Sequence, residues 1–271
     1  MTELTAIIIS LLSGSLMYRK RYTSNLKIGG IYFVQLWYLI VTIVVVALFL
    51  NIGLDIIMRP TLDRFPIPST WIFNAYAVAL IITAIGSGIH TSATSVYQSF
   101  KSKGKIEKQA YFTNELFHGP LSHNMVYLGA IISTVCLGFL ELNHPLPIAG
   151  YNFNIIIVVG ILLGALGAMG ILWSAHIGFT LIASLIGSII LGSAVRIYAL
   201  NPSAYPFAIL GLSSLVTMFS LVFLASIIFL VSERLSKRVI KRTFPKGHPF
   251  HEALNLKVLT LRIQRDWFKS Y

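Results

Sequence analysis

The sequence predicts an all-α fold: a polytopic membrane helix bundle with six transmembrane helices, or seven if the apolar segment at the N-terminus also spans. Two observations support this prediction. Of the 271 residues, 56% are hydrophobic and only 11% are charged, whereas a soluble domain is about 25% charged. The apolar residues also form runs long enough to cross the roughly 30 Å hydrocarbon core of a bilayer, and the basic residues lie mainly between these runs.

The net charge of +12 is explained by membrane topology rather than by nucleic-acid binding. Three clusters hold 4, 4 and 10 of the 21 lysines and arginines, at Arg19–Lys27, Lys101–Lys108 and Arg234–Lys269. The positive-inside rule assigns all three clusters to the cytoplasmic side. We therefore expect a multi-pass protein of the cell (plasma) membrane with a cytoplasmic C-terminus, whose basic loops attract anionic lipid headgroups.

The first apolar segment, Met1–Met17, is short. Its basic residues follow the apolar run, whereas those of a signal peptide precede it, so we predict an anchor or half-span that is not cleaved. Residues 30–58 are predicted as span 1 and residues 70–98 as span 2. Near the outer end of span 1, we expect Asp55 to pair with either Arg196 or Arg59.

Span 3 is predicted to end at Glu141, and its start has two alternatives. A helix that begins near Tyr111 would be kinked at Gly119-Pro120. A helix that begins at Pro120 would use proline at a favoured first position. The 21 residues from Pro120 to Leu140 would form about 31 Å of helix, which is enough to cross the membrane.

Residues 153–199 are apolar and carry no charge before Arg196. One helix of that length would measure about 70 Å, more than twice the hydrocarbon core, so we predict two spans joined by a turn at Trp173–His176. Span 6 is predicted at residues 205–232. The chain then divides into a transmembrane helical domain, residues 1–233, and a basic cytoplasmic tail, residues 234–271, which is either a surface-lying amphipathic helix or a solvated anchor.

Ionisable side chains at membrane depth are functional candidates because they are expensive to bury in lipid. Four histidines qualify by position, on four different helix segments or their ends: His90, His118, His123 and His176. The predicted topology brings all four to a similar depth near the cytoplasmic side. The face of span 2 that carries His90 is also polar, with Ser87, Thr91, Thr94 and Gln98 at helical spacing.

Helix geometry sorts the candidates at the start of span 3. Glu115, His118 and Ser122 follow one another at spacings of three and four residues, so they share one face. His118 and His123 are five residues apart, which is about 140° around a regular helix. They can bind one ion together only if the helix is broken, and Gly119-Pro120 between them is a candidate for that break.

The first functional hypothesis is a mononuclear metal site, with zinc as the ion. The four histidines would be ligands, Glu115 would be a further ligand or the general base, and Ser122 would polarise the substrate or support a ligand. Zinc with an open position activates a bound water, and a site at the inner leaflet suits hydrolysis of a lipid-like substrate. A cysteine-type zinc site is excluded, since Cys136 is the only cysteine.

Two further hypotheses stay open. In one, His90 with His118 or His123 supplies the axial ligands of a b-type haem iron, and the protein is a membrane redox subunit. In the other, the polar side chains are interhelical hydrogen-bonding groups or line a solute or proton path, and the protein is a non-enzymatic transporter or a structural subunit with membrane protein partners.

The histidine pattern does not assign a family. His118-x4-His123 resembles one histidine box of membrane desaturases, but the His-His boxes of that family are absent. The histidine, serine and acidic residues are similar to those of intramembrane zinc hydrolases of the alkaline ceramidase and progestin receptor type. Those proteins carry a paired His-x3-His on a late helix, which this chain lacks.

Overall fold

The computed structural model describes residues 2–19, 26–28, 31–62, 64–103, 110, 113–114, 116–146, 152–174, 177–201 and 203–243. Within these ranges the chain is almost entirely helical, so the predicted all-α fold is confirmed. The helices are α1 (Thr2–Arg19), α2 (Phe33–Ile57), α3 (Ser69–Lys103), α4 (Ser122–Asn143), α5 (Phe153–Ser174), α6 (Ile177–Ile197) and α7 (Pro206–Thr243). Two-residue strands β1 (Lys27–Ile28) and β2 (Ile31–Tyr32) pair antiparallel between α1 and α2.

Among the residues that the structure describes, six helical segments are long and apolar enough to cross a membrane, which agrees with the predicted number and makes this a membrane-embedded, multi-pass protein. They are Phe33–Ile57, Ser69–Val96, Phe117–Asn143, Phe153–Leu172, Gly178–Ile197 and Pro206–Ile228. The N-terminal helix α1 is not among them. It packs against α2 and α5, and its Ile7 is fully buried in a core shared with Ile52 and Ile56.

The third span begins with a π-helical turn, Phe117–Leu121, that runs directly into α4. Pro120 lies inside this turn, so the alternative in which Pro120 starts the helix is wrong. Proline has no N–H and cannot complete the regular hydrogen-bond ladder. The backbone widens instead, and the Ser122 N–H reaches back to the Phe117 carbonyl, the five-residue spacing that defines a π-helix. Tyr111, the other predicted start, lies outside the described residues.

The long apolar segment folds back where predicted. Helix α5 ends at Ser174 and α6 begins at Ile177. The last helix, α7, continues to Thr243, eleven residues beyond the predicted end of span 6, so the beginning of the predicted tail is helical. The chain divides into two units, and the boundary between them lies between Val222 and Phe223, within α7. The predicted amphipathic segment near the C-terminus lies outside the described residues.

Two glycines set the close approach of α3 to α4. A Cβ atom at Gly86 would lie 2.8 Å from the Met125 Cβ and 2.9 Å from the Ser122 carbonyl oxygen. A Cβ atom at Gly129 would lie 2.6 Å from the Ala79 carbonyl oxygen. Contacts this short are not tolerated, so glycine lets the two backbones touch, as small residues do in membrane helix pairs. This approach brings the polar face of α3 against the start of the third span.

Candidate functional site

Three of the predicted site histidines meet inside the bundle. His90 comes from α3, His118 from the π-helical turn and His123 from the first turn of α4. Their ring centroids are 4.8 Å apart for His90–His118, 4.8 Å for His90–His123 and 6.0 Å for His118–His123. We call these three side chains the histidine cluster. Two other predicted site residues, Glu115 and His176, lie outside the described residues.

The π-helical turn explains how His118 and His123 come together. In a regular helix, residues five apart point about 140° away from each other. A π-helical turn takes more residues per turn and bonds residue i to residue i+5, so residues five apart lie close to the same face. The break that the sequence required at Gly119-Pro120 is therefore present, and its form is a widened turn rather than a kink.

A hydrogen bond fixes the orientation of His90. Its Nδ1 atom lies 3.3 Å from the His118 carbonyl oxygen. Because a carbonyl oxygen only accepts, Nδ1 must carry the hydrogen and donate it. In the neutral ring the lone pair is then on Nε2. The network thus assigns the tautomer of His90, which is only 8% exposed.

Ser122 completes this arrangement from the same carbonyl. Its hydroxyl donates to the His118 oxygen at 2.5 Å, and the side chain is fully buried. His90 and Ser122 therefore share one acceptor, which ties α3 to the start of α4. The Ser122 hydroxyl donates its hydrogen to the His118 carbonyl. This bond holds the backbone between His118 and His123.

Other polar side chains surround the histidine cluster. Ser87 donates to the Thr42 hydroxyl at 2.9 Å, which links α3 to α2. The Tyr38 ring lies 5.5 Å from the His90 ring, and the Tyr127 ring lies 6.4 Å from the His123 ring. The Thr91 hydroxyl is buried and has no hydrogen-bond partner within the described part of the chain. A buried polar atom without a partner is rare in proteins and marks a place where a ligand or a water is expected.

Among the described residues, no group of three histidine, cysteine or acidic side chains is arranged so that it could hold a metal ion. The histidine cluster therefore brings the rings together without having closed on an ion. The prediction that these residues bind a metal stays a prediction.

A second polar cluster lies at the other end of α3 and α4, and sequence reasoning missed it. Glu141 is fully buried, and its Oε2 accepts a hydrogen bond from the Ala208 N–H at 2.9 Å. Its Oε1 lies 3.8 Å from Arg59 Nη1. Arg59 also binds Asp55 at 2.7 Å, so the Arg59 alternative for Asp55 is confirmed, whereas Arg196 is exposed.

The end of the third span is held by two further side chains. Asn143 accepts the Phe65 N–H at 2.7 Å through Oδ1. His144, the residue directly after α4, is only 3% exposed and bonds the Arg59 carbonyl at 2.9 Å and the Ser69 hydroxyl at 2.8 Å. One signal in the sequence could have revealed this second cluster. An acidic residue and a histidine lie directly at the end of a span, where ionisable side chains are unusual.

Comparison of the chain with protein families, with curated proteins and with solved structures finds no match. The two polar clusters are therefore the basis for a functional assignment. Of the two, the histidine cluster brings three imidazole rings together, and imidazole is the commonest metal ligand in proteins.

Proposed function

We propose that this chain is a membrane-embedded metalloprotein in which His90, His118 and His123 bind one metal ion, with zinc as the first candidate. The supporting observation is the spacing of the rings. Imidazole nitrogens bind zinc at about 2.0–2.1 Å, which separates the ring centroids of ligands on one ion by about 5 Å. Two of the observed separations, at 4.8 Å, are close to this value, and the third, at 6.0 Å, is about 1 Å longer.

His90 is already oriented as a ligand. Metal-binding histidines usually donate their second ring N–H to a carboxylate or a backbone carbonyl, which fixes the tautomer and aims the other nitrogen. His90 does so through Nδ1 and the His118 carbonyl. Closure on an ion then requires rotation of His118 and His123 about their side-chain torsions.

Three histidines leave a fourth position open, and this is the ligand pattern of catalytic rather than structural zinc. When bound, zinc supplies an activated water at neutral pH. Within the proposal, Glu115 acts as the general base. Ser122 holds the backbone between His118 and His123. Because the ligands lie within membrane-spanning helices, we propose hydrolysis of a lipid-like substrate.

The orientation of the site follows from the charge pattern. Helix α3 runs from His90 into Lys101 and Lys103, which belong to a basic cluster. We propose that the basic segments and the C-terminus are cytoplasmic, in the cell (plasma) membrane, with anionic lipid headgroups at the basic loops. The histidine cluster then lies near the inner leaflet.

Haem ligation by the same side chains fits the geometry less well. Two axial imidazoles of a haem approach the iron from opposite faces of the macrocycle. His90 and His118 are stacked against each other instead, with ring planes 29° apart and centroids 4.8 Å apart, which leaves no room for a macrocycle between them. The spacing therefore favours a single ion over haem.

The experiment is a hydrolysis assay with the purified full-length protein in lipid nanodiscs. Fluorogenic amide lipids are offered before chelation, after chelation, and after zinc is added back. We expect activity that chelation removes and zinc restores, and that His123→Ala abolishes. The matched control is His251→Ala, since His251 belongs to the predicted tail. Hydrolysis that persists after chelation would contradict the proposal.

A further inference from the structure

Ser69 and His144 form a hydrogen-bonded pair at the end of α3 remote from the histidine cluster. Ser69 is the first residue of α3, and His144 follows the last residue of α4. The Ser69 Oγ lies 2.8 Å from His144 Nε2. Neither residue belongs to the proposed metal site.

The direction of this hydrogen bond is fixed by the opposite side of the imidazole ring. His144 Nδ1 lies 2.9 Å from the Arg59 carbonyl oxygen, which can only accept, so Nδ1 carries the hydrogen. In the neutral ring Nε2 is then the acceptor, and the Ser69 hydroxyl donates to it. A serine whose hydrogen points at a histidine held by a third group is the arrangement of an activated nucleophile.

An amide donor lies next to the same serine oxygen. Asn143 Oδ1 accepts the Phe65 N–H at 2.7 Å, which fixes the orientation of the amide group. Its Nδ2 therefore faces the Ile67 carbonyl and the Ser69 Oγ, each at 3.3 Å. A side-chain amide donor beside a nucleophile can stabilise the oxyanion that forms when a carbonyl is attacked.

The surroundings of Ser69 indicate what kind of substrate reaches it. Ser69 is half-buried, whereas Ile67 and Trp71 on either side are 47% and 73% exposed. Large apolar side chains exposed at the end of a transmembrane helix lie at the level of the lipid interface. An apolar acyl chain is therefore the natural contact for this surface.

We propose that Ser69 and His144 are the nucleophile and general base of an acyl-transfer site that accepts esters with an apolar acyl chain. Ser69 Oγ forms a bond to the acyl carbon while His144 Nε2 takes the hydroxyl proton. The carbon–oxygen bond to the leaving alcohol then breaks, and His144 returns the proton to that alcohol. Water attacks the acyl-serine in the same way, which releases the fatty acid and restores Ser69.

The test uses a serine-reactive fluorophosphonate probe with an alkyl chain on the purified full-length protein in nanodiscs. We expect one adduct per chain, located at Ser69 by peptide mass spectrometry. Ser69→Ala removes it, and His144→Gln slows its formation about 100-fold, the usual contribution of a general base. Ser133→Ala is the control, since Ser133 is buried and donates to the Ala130 carbonyl; it leaves the adduct unchanged.

Two outcomes would overturn the proposal. The first is no adduct on Ser69 in the wild-type protein, a result that does not depend on whether any variant folds. The second is an adduct that forms on Ser69 at the wild-type rate in His144→Gln, because His144 would then not act as a base. Chelation leaves the labelling unchanged, which distinguishes this site from the metal site.

Discussion

The Nδ1 atom of His90 lies 3.3 Å from the carbonyl oxygen of His118, across the contact between α3 and the π-helical turn. This contact joins the two helical segments that supply the histidine cluster, and it determines which nitrogen of His90 is available to a ligand. The same carbonyl accepts the Ser122 hydroxyl. The geometry of the cluster therefore depends on the close approach of α3 and on the widened turn at Pro120.

The close approach of α3 is tested by Gly86→Ala. The new Cβ atom would lie 2.8 Å from the Met125 Cβ and 2.9 Å from the Ser122 carbonyl oxygen, so the helices must separate. We expect a loss of about 1–3 kcal/mol in the free energy of unfolding, as for other overpacked contacts. Thermal unfolding of the detergent-solubilised protein measures it.

Gly88→Ala is the matched control for this prediction. Gly88 is in the same helix, and a Cβ atom there would meet nothing within 4 Å. Alanine has the higher helix propensity, so we expect unchanged or slightly raised stability. Equal destabilisation by the two substitutions would show that Gly86 acts through the helix itself and not through contact with α4.

The widened turn is tested by Pro120→Ala. Alanine restores the missing N–H, so a regular helix becomes available and His118 rotates away from His123. We expect zinc affinity to fall by about 10–100-fold, the usual effect of a disturbed ligand orientation, without loss of helix content. Zinc titration monitored by calorimetry, with circular dichroism in parallel, measures both. Unchanged affinity would mean that the π-helical turn does not position the ligands.

The second polar cluster is tested by Glu141→Ala. This substitution leaves the buried Arg59 guanidinium without Glu141 and the Ala208 N–H without its acceptor. Removal of one partner from a buried ion pair costs about 3–5 kcal/mol, and we expect a destabilisation in that range. Asp55→Asn is the control, because Asp55 is 69% exposed at its side chain and an exposed ion pair contributes only about 0–1 kcal/mol. A similar effect of both substitutions would contradict the assignment of Glu141 as the structural carboxylate.

The sequence predicted the transmembrane spans because hydropathy and length alone decide them. It also predicted that His90, His118 and His123 would lie near one another, since the order of the spans brings the end of one helix beside the start of the next. A kink or break of the helix was predicted at Gly119-Pro120. The structure has a π-helical turn there, which sequence reasoning did not predict.

The contacts of Glu141 and His144 were not predictable in the same way. Glu141 bonds a backbone N–H that is 67 residues away, and His144 bonds Ser69, 75 residues away. Such pairs depend on which helix ends meet in the folded bundle, and no periodic pattern in the sequence encodes that. Sequence reasoning placed His144 in the outside loop after span 3 and did not predict that its side chain is buried.

The most direct test of the proposed metal site is elemental analysis by mass spectrometry of the full-length protein, purified without chelators and without an affinity His-tag. We predict about one zinc ion per chain in the wild-type protein and in His251→Ala, and none in His90→Ala or His118→Ala, because three-histidine ligation is lost. Wild-type protein that contains no metal above background would contradict the proposal. The histidine cluster would then be a hydrogen-bonded packing element between α3 and the third span.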